Sequence, residues 1–347
     1  MFMGRHIIQH HWATPEIVAQ FNKENVLFGQ KWLAHLAATD RSDSTISTYK
    51  YNLNVIWYWN LMYNGNKLFV EWDKPDVTAF QAWSTLECSH SPARIRHLKS
   101  TVASMSNYVE DILDKQYPEF RKVTNRIPNP AMYHVLDKSV FTMHDINIAL
   151  RHLTFSCQFE KACCLALAVC SGRRKAELLR FKLSDFTDDR LVCDGALYKS
   201  APIRTKGRGR NGKKLECFVL AKQFKPYLDR WMQYRERHNI QGEWLFPSPI
   251  DPTVAISVST ITVWCDKIGE VLPAPFYWHS MRHLIVTAFK KAGIPDSVIK
   301  EYLGWDSIDM VATYTDIAAE EQFAMYFNPD GTYGGVDGQI TQIPPIQ

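Results

Sequence analysis

The stretch YPEFRKVTNRIPNP, residues 117–130, carries three prolines and shows no helical period. Such a segment cannot continue a helix, so it divides the chain into parts that must each build a core of their own. There is enough sequence for this: 347 residues with 46% hydrophobic content make two domains. The spacing of periodic segments predicts an N-terminal extension over 1–24, a helical domain over 25–115, a linker over 116–134 with the boundary near Pro130, and a second domain over 135–328. The stretch 329–347, rich in Gly, Pro and Gln, reads as a flexible tail.

Before the linker the periodicity is helical. A helical stretch around Val26 to Ala38 is followed by DSTISTYKYNLNVIWYW, which offers Ser44 as an N-cap and places Ile46, Tyr49, Leu53, Ile56 and Trp57 at helical spacing. Pro75 opens a helix carrying Val77, Phe80 and Trp83, and Pro92 opens another with Ile95, Leu98, Val102, Met105, Val109 and Ile112. Four short helices of this kind form a small bundle. Beyond the linker an apolar helix pair runs up to Ser171, and short β segments follow between Arg190 and Leu220, where RGRNGKK supplies the Asn and Gly of a hairpin turn. Helices return from Ala221. The fold class is mainly α with a small antiparallel β-sheet.

The longest charge-free run in the middle of the chain, 162–172, is far shorter than the about 20 residues a membrane span needs, and the N-terminus lacks an apolar signal core. A cytoplasmic protein without membrane partners is expected. Eight cysteines without CxxC pairs, two of them adjacent at Cys163 and Cys164 in an apolar run, read as buried reduced thiols, with no structural metal. The net charge of +4 says little by itself. Its distribution says more: between Gly195 and Leu215 stand Lys199, Arg204, Lys206, Arg208, Arg210, Lys213 and Lys214 with no acid among them. Cations without local carboxylates suit a polyanion, whereas the plain alternative is a solvated loop.

Four short motifs follow in order. SGRRKAELLRF sets Arg174 at a turn into a helix with Glu177 one turn later, a spacing that an ordinary surface ion pair also uses. Lys206 lies in the basic hairpin, with Lys199 before it and Lys213 after it as alternatives. HSMRH places His279 and Arg282 three residues apart, so both leave one face of a helix start toward the same point. Finally WDSIDMVATYTDIA carries Trp305 and Tyr314. Taken alone, Tyr314 reads as a core tyrosine.

Together these residues resemble the tyrosine recombinase (phage integrase) family. SGRRKAEL is similar to the box built around Thr-Gly-Leu-Arg, HSMRH to the His-x-x-Arg box, and LGW followed by TYT to the closing box with the nucleophile. Two departures stand out: Arg173 occupies a position that is usually apolar, which opens Arg173 as an alternative to Arg174, although Gly172 and Glu177 align Arg174 with the box. Trp305 stands where His is more frequent. The resemblance implies a helical, SAM-like core-binding domain before the linker and a tyrosine-recombinase catalytic domain after it.

By the resemblance, Tyr314 attacks a DNA phosphodiester and forms a 3′-phosphotyrosyl link without ATP, metal or other cofactor. Arg174 and Arg282 neutralise the phosphate, His279 accepts or orients the phenolic proton, Lys206 protonates the departing 5′-hydroxyl, Trp305 donates a hydrogen bond, and Glu177 orients a neighbour. The partner implied is double-stranded DNA, gripped from both domains, with Lys50, Arg94, Arg96, Lys99, Arg204, Arg208 and Arg210 as contact candidates against the alternative of a solvated face. A homotetramer on DNA follows from the same resemblance. AEEQFAMYF, 319–327, is a candidate docking helix on a neighbouring copy, with packing on its own domain as the alternative. The region before Val26 is too short for an arm-site domain, so recombination is expected at the core site alone. The alternatives are a type IB topoisomerase-like or hairpin-forming relative and an inert DNA-binding protein of the same fold.

Overall fold

In the computed structural model, residues 13–131, 140–205 and 212–314 are described, with two short paired strands after them. The chain divides into two compact units between Asp137 and Lys138.

The first unit is helical: α1 Pro15–Val18, α2 Lys23–Ala38, α3 Asp43–Tyr63, α4 Lys74–Leu86 and α5 Pro92–Ile112. Their starts are set by side-chain caps. Asn22, Asp73 and Ser91 each accept a backbone N–H of the first turn, and Pro75 and Pro92 sit where a missing N–H costs nothing. The α3 cap is Ser42 rather than Ser44: Ser42 has extended backbone and accepts the Thr45 N–H, so the helix begins a half-turn earlier than its apolar period suggests. Two of these helices span 21 residues and are not short. Trp32, Ile56, Trp59, Phe69, Val77, Leu98, Val102 and Met105 fill the core between them.

The second unit runs α6 Met143–Phe155, α7 Phe159–Ser171, α8 Lys175–Leu178, β1 Leu191–Val192, β2 Leu197–Lys199, β3 Ile203–Thr205, β4 Lys213–Leu215, β5 Phe218–Leu220, α9 Ala221–Arg237, α10 Val258–Gly269, α11 Ser280–Lys291, α12 Asp296–Leu303 and α13 Asp309–Tyr314. The charge-free run is its central helix: every residue from Ala162 to Ser171 of α7 is buried, with α6, α9 and α11 packed around it. An element apolar on all sides must be surrounded. Strands β1, β2 and β5 form an antiparallel sheet, and β3 pairs antiparallel with β4, Arg204 opposite Lys214. The hairpin tip 206–211, and with it Lys206, Arg208 and Arg210, lies outside the described residues, as does the docking segment 319–327. Within the stretch read as a tail, β6 Thr332–Tyr333 pairs with β7 Thr341–Gln342.

All eight cysteines are free thiols; Cys163, Cys164, Cys170 and Cys217 are buried, but Cys157 and Cys193 are exposed, so burial does not account for the whole set. Among the described residues no helix is long and apolar enough to cross a membrane.

Candidate active site

Two chain reversals, at the ends of α7 and α12, and the start of α11 bring the motifs of the second unit together. Helix α7 ends on Gly172, whose φ of +61° places it in the left-handed region. A Cβ there would come within 2.6 Å of Leu303 Cδ2 and 2.8 Å of Ile285 Cγ2, so α11 and α12 approach this turn as closely as only glycine permits. Arg174 follows as the N-cap of α8, with Glu177 in its first turn. Helix α12 ends in the same manner on Gly304, φ +63°, and Trp305 comes next.

His279 is the N-cap of α11, with Arg282 and His283 in its first turn. The Arg282 side chain runs inward and is fully buried. Its Nη1 donates to the Gly172 carbonyl at 3.0 Å and its Nη2 to the Leu303 carbonyl at 3.3 Å, while Nε has no partner. The guanidinium carbon lies 4.7 Å from the centre of the Trp305 ring and 5.6 Å from that of Tyr314, both within cation–π reach. Burial foremost, and then the positive charge of Arg174, hold the Arg282 guanidinium down at about 9. A cation in that position gains most from an arriving anion.

Tyr314 closes α13. Its ring packs with Ile285, Val286, Leu303, Trp305 and Val311, and its hydroxyl lies 2.9 Å from Nε2 of the exposed His279. The residue is therefore both core and site: the ring is anchored in apolar contact and the polar tip reaches the surface. Trp305 is buried with its indole ring 5.0 Å from that of Tyr314, and its Nε1 has no acceptor. A buried indole N–H without a partner is an unused donor beside the tyrosine.

Arg174 is half-buried. Its Nη1 donates to Glu177 Oε1 at 3.1 Å, and its backbone N–H donates to Oε2 at 3.2 Å. Burial pushes the Glu177 carboxyl up, but the Arg174 charge, the backbone N–H and the Arg173 charge more than offset it, so the net direction is down. Glu177 thus stays ionised and keeps the Arg174 fork oriented.

The structure brings Arg174, Glu177, His279, Arg282, Trp305 and Tyr314 into one neighbourhood. Of the lysines flanking Lys206, Lys199 pairs with Glu216 and Lys213 with Asp306, each at 2.8 Å. His283 had drawn no role from the sequence; its ring lies 4.6 Å from that of Tyr314 and 5.7 Å from that of His279. Its place four residues after His279, on the same helix face, was the available signal.

In the first unit the basic residues fare differently. Lys50 is exposed, as is Arg204 in the second unit. Arg94 is half-buried, donating to Asn52 Oδ1 at 2.6 Å with its guanidinium 5.9 Å from the Tyr51 ring. Arg96 is exposed and grips the Pro130 carbonyl through Nε and Nη2. Lys99, read as a DNA-contact candidate, is corrected by the structure: it is buried, and its ammonium donates to the Ile127 and Pro128 carbonyls and to Gln81 Oε1. Three protein acceptors match its three donors, which makes it a brace for the chain after α5.

The model of the phage integrase family matches residues 140–321. Solved structures of the same fold include a lambda integrase tetramer bound to a Holliday junction, with 16% identity, a TM-score of 0.60, and coverage of 84% of this chain and 77% of that one. XerH site-specific recombinase bound to palindromic difH substrate shares 15% identity at a TM-score of 0.58, covering 84% and 92%. The Tn1549 transposon integrase in complex with circular intermediate DNA shares 14% at 0.58, covering 86% and 97%. At these identities the likeness is one of fold. Among curated proteins none matches the chain in sequence.

Proposed function

Since the chain belongs to the phage integrase family, we propose that it is a site-specific DNA recombinase acting through a covalent 3′-phosphotyrosyl intermediate. The observation that carries this reading is the Tyr314 hydroxyl held 2.9 Å from His279 Nε2 above the buried Arg282 guanidinium.

The scissile phosphate resists attack because its non-bridging oxygens are negative and become more so in the transition state. Arg282, with donors not engaged by the two carbonyls, and Arg174, oriented by Glu177, neutralise that charge without reorganising. Arg282 lies beneath the Tyr314 and Trp305 rings, so entry of the phosphate turns the tyrosine outward, toward the exposed His279 side. The Tyr314 oxygen then bonds to phosphorus as its proton passes to His279, and the bond from phosphorus to the 5′-oxygen breaks. The leaving oxygen takes a proton from a lysine of the basic hairpin. Lys206 is the choice, because Lys199 and Lys213 are already paired with carboxylates. The Trp305 indole N–H supplies a further donor to the phosphate. A second strand's 5′-hydroxyl reverses the step and reseals the backbone, so neither ATP nor a metal is required.

Double-stranded DNA is the partner. Support comes from the acid-free cationic run between Gly195 and Leu215 and from solved relatives of the fold that are bound to DNA, one of them as a tetramer. A homotetramer on DNA is the assembly we assign to this chain, with 319–327 as its docking segment, and the domain limits are those set by the linker. The test uses duplexes selected by binding from a random-sequence pool and nicked at successive positions, so that a cleaved strand cannot be resealed. The expected result is a denaturation-resistant protein–DNA adduct with wild type and none with Tyr314→Phe. An adduct that persists in Tyr314→Phe would refute this nucleophile.

A further inference from the structure

Arg173 stands between the left-handed Gly172 and the α8 cap Arg174, and its side chain turns into the interior, where the residue is only 2% exposed. A buried guanidinium is costly unless its donors are met. Here the two Nη groups meet the end of α12, Nη2 donating to the Tyr302 carbonyl at 2.6 Å and Nη1 to the Leu303 carbonyl at 3.3 Å, while Nε has no partner. Carbonyls of a helix's last turn lack intrahelical partners and lie at the negative end of its dipole, so they suit a cation. Arg282 reaches the same Leu303 carbonyl. Two guanidiniums, one of them assigned to the phosphate, therefore share one helix end.

The next residues link this end to the chemistry. Gly304 reverses the chain within 3.4 Å of Arg173 Nη1, measured from where a Cβ would lie, and Trp305 then covers Arg282 and lies tilted against Tyr314. An apolar side chain at 173 would leave the Tyr302 carbonyl without its guanidinium donor and Arg282 alone on the Leu303 carbonyl.

We propose that Arg173 is a positioning residue for strand cleavage: it clamps the Tyr302 and Leu303 carbonyls and so fixes the angle of Trp305 and the reach of Arg282. In this role Arg173, with both Nη groups on the Tyr302 and Leu303 carbonyls, acts through these neighbours and not by contact with DNA. The proposal rests on the recombinase reading above.

The experiment follows adduct formation under single-turnover conditions on the selected nicked duplex, together with DNA affinity by gel shift, for wild type, Arg173→Met and Arg173→Lys. DNA affinity within about twofold of wild type is expected for both variants, because the positioning role gives Arg173 no contact with the DNA. The cleavage rate at saturating DNA falls roughly tenfold to a hundredfold in Arg173→Met. It recovers in part in Arg173→Lys, whose ammonium still reaches one carbonyl. Wild-type cleavage by Arg173→Met overturns the proposal. So does a loss of DNA affinity that matches the loss of cleavage in both variants, since that marks general destabilisation. If Arg173→Met does not fold, Arg173→Lys decides: slower cleavage at saturating DNA supports the clamp, and an unchanged rate overturns it. A wild type that forms no adduct fails the recombinase reading itself and takes the clamp with it, an outcome distinct from a wild type and Arg173→Met that cleave equally well.

Discussion

The Tyr314 hydroxyl and the His279 imidazole are 35 residues apart in sequence and 2.9 Å apart in space. The phenol comes from the last turn of α13 and the imidazole from the cap of α11, so the contact exists only when both helices are seated on the Arg282 pocket. His279→Ala removes the proposed proton acceptor and leaves the tyrosine ring packed. Single-turnover cleavage of a nicked duplex should fall roughly a hundredfold to ten-thousandfold, while gel-shift affinity stays near wild type. An unchanged rate would exclude proton transfer to His279.

Glu177 has a pH signature with a definite sign. Its folded carboxyl titrates below its ordinary value, so its contribution to stability is complete above the unfolded value of about 4.3 and is lost as pH falls through the depressed folded value. Glu177→Gln should therefore lower stability at pH 7 by about 1–2 kcal/mol, a figure discounted because Arg174 is partly exposed. Thermal melts of the variant and wild type should converge as the pH is lowered below about 4. Parallel melting curves across the acid range would show that the pair contributes nothing through charge.

How far the site could be read before folding depends on distance along the chain. His279 and Arg282 share one helix start, and Arg174 and Glu177 share another, so periodicity alone placed each pair. Tyr314 was ambiguous locally, because a ring on an apolar helix face looks the same whether or not its hydroxyl attacks; only the resemblance of the ordered motifs separated the two. Arg173 and Lys99 show the limit. Arg173 read as an alternative to Arg174 at a usually apolar position, and Lys99 as a DNA contact or a solvated cation, yet the carbonyls that hold them are 129 and 28 residues away, at helix and chain ends that no local pattern marks. Mainly helical architecture with short antiparallel strands followed directly from residue periods, whereas the α3 cap moved to Ser42 because capping depends on backbone angles rather than on apolar spacing.

Gly172 joins fold to chemistry through two properties of one residue. Its left-handed backbone disfavours any side chain, and an added methyl would strike Leu303 and Ile285. Its carbonyl also accepts from Arg282. Gly172→Ala should lose roughly 2–4 kcal/mol from strain and overpacking together. Cleavage should fall further than DNA binding, because the shifted carbonyl moves the Arg282 fork proposed to bind the phosphate. Differential scanning calorimetry and the nicked-duplex assay read the two effects separately, and a variant that melts and cleaves like wild type would contradict the close packing at this turn.

Lys50 and Lys99 belong to the same helical unit and carry the same charge, yet salt should tell them apart. A lysine that neutralises a phosphate releases a counterion on binding, and its removal lowers the log–log salt slope of DNA affinity by about 0.9. Exposed Lys50 can do this, whereas Lys99 has its donors on Ile127, Pro128 and Gln81, and burial pushes its pKa down. Lys50→Ala should lower the slope by that amount and leave the melting temperature unchanged. Lys99→Met should leave the slope unchanged and lower stability by about 0.5–1.5 kcal/mol, because the Ile127 and Pro128 carbonyls lose their donor. A reduced slope in Lys99→Met without loss of stability would return that lysine to the DNA interface.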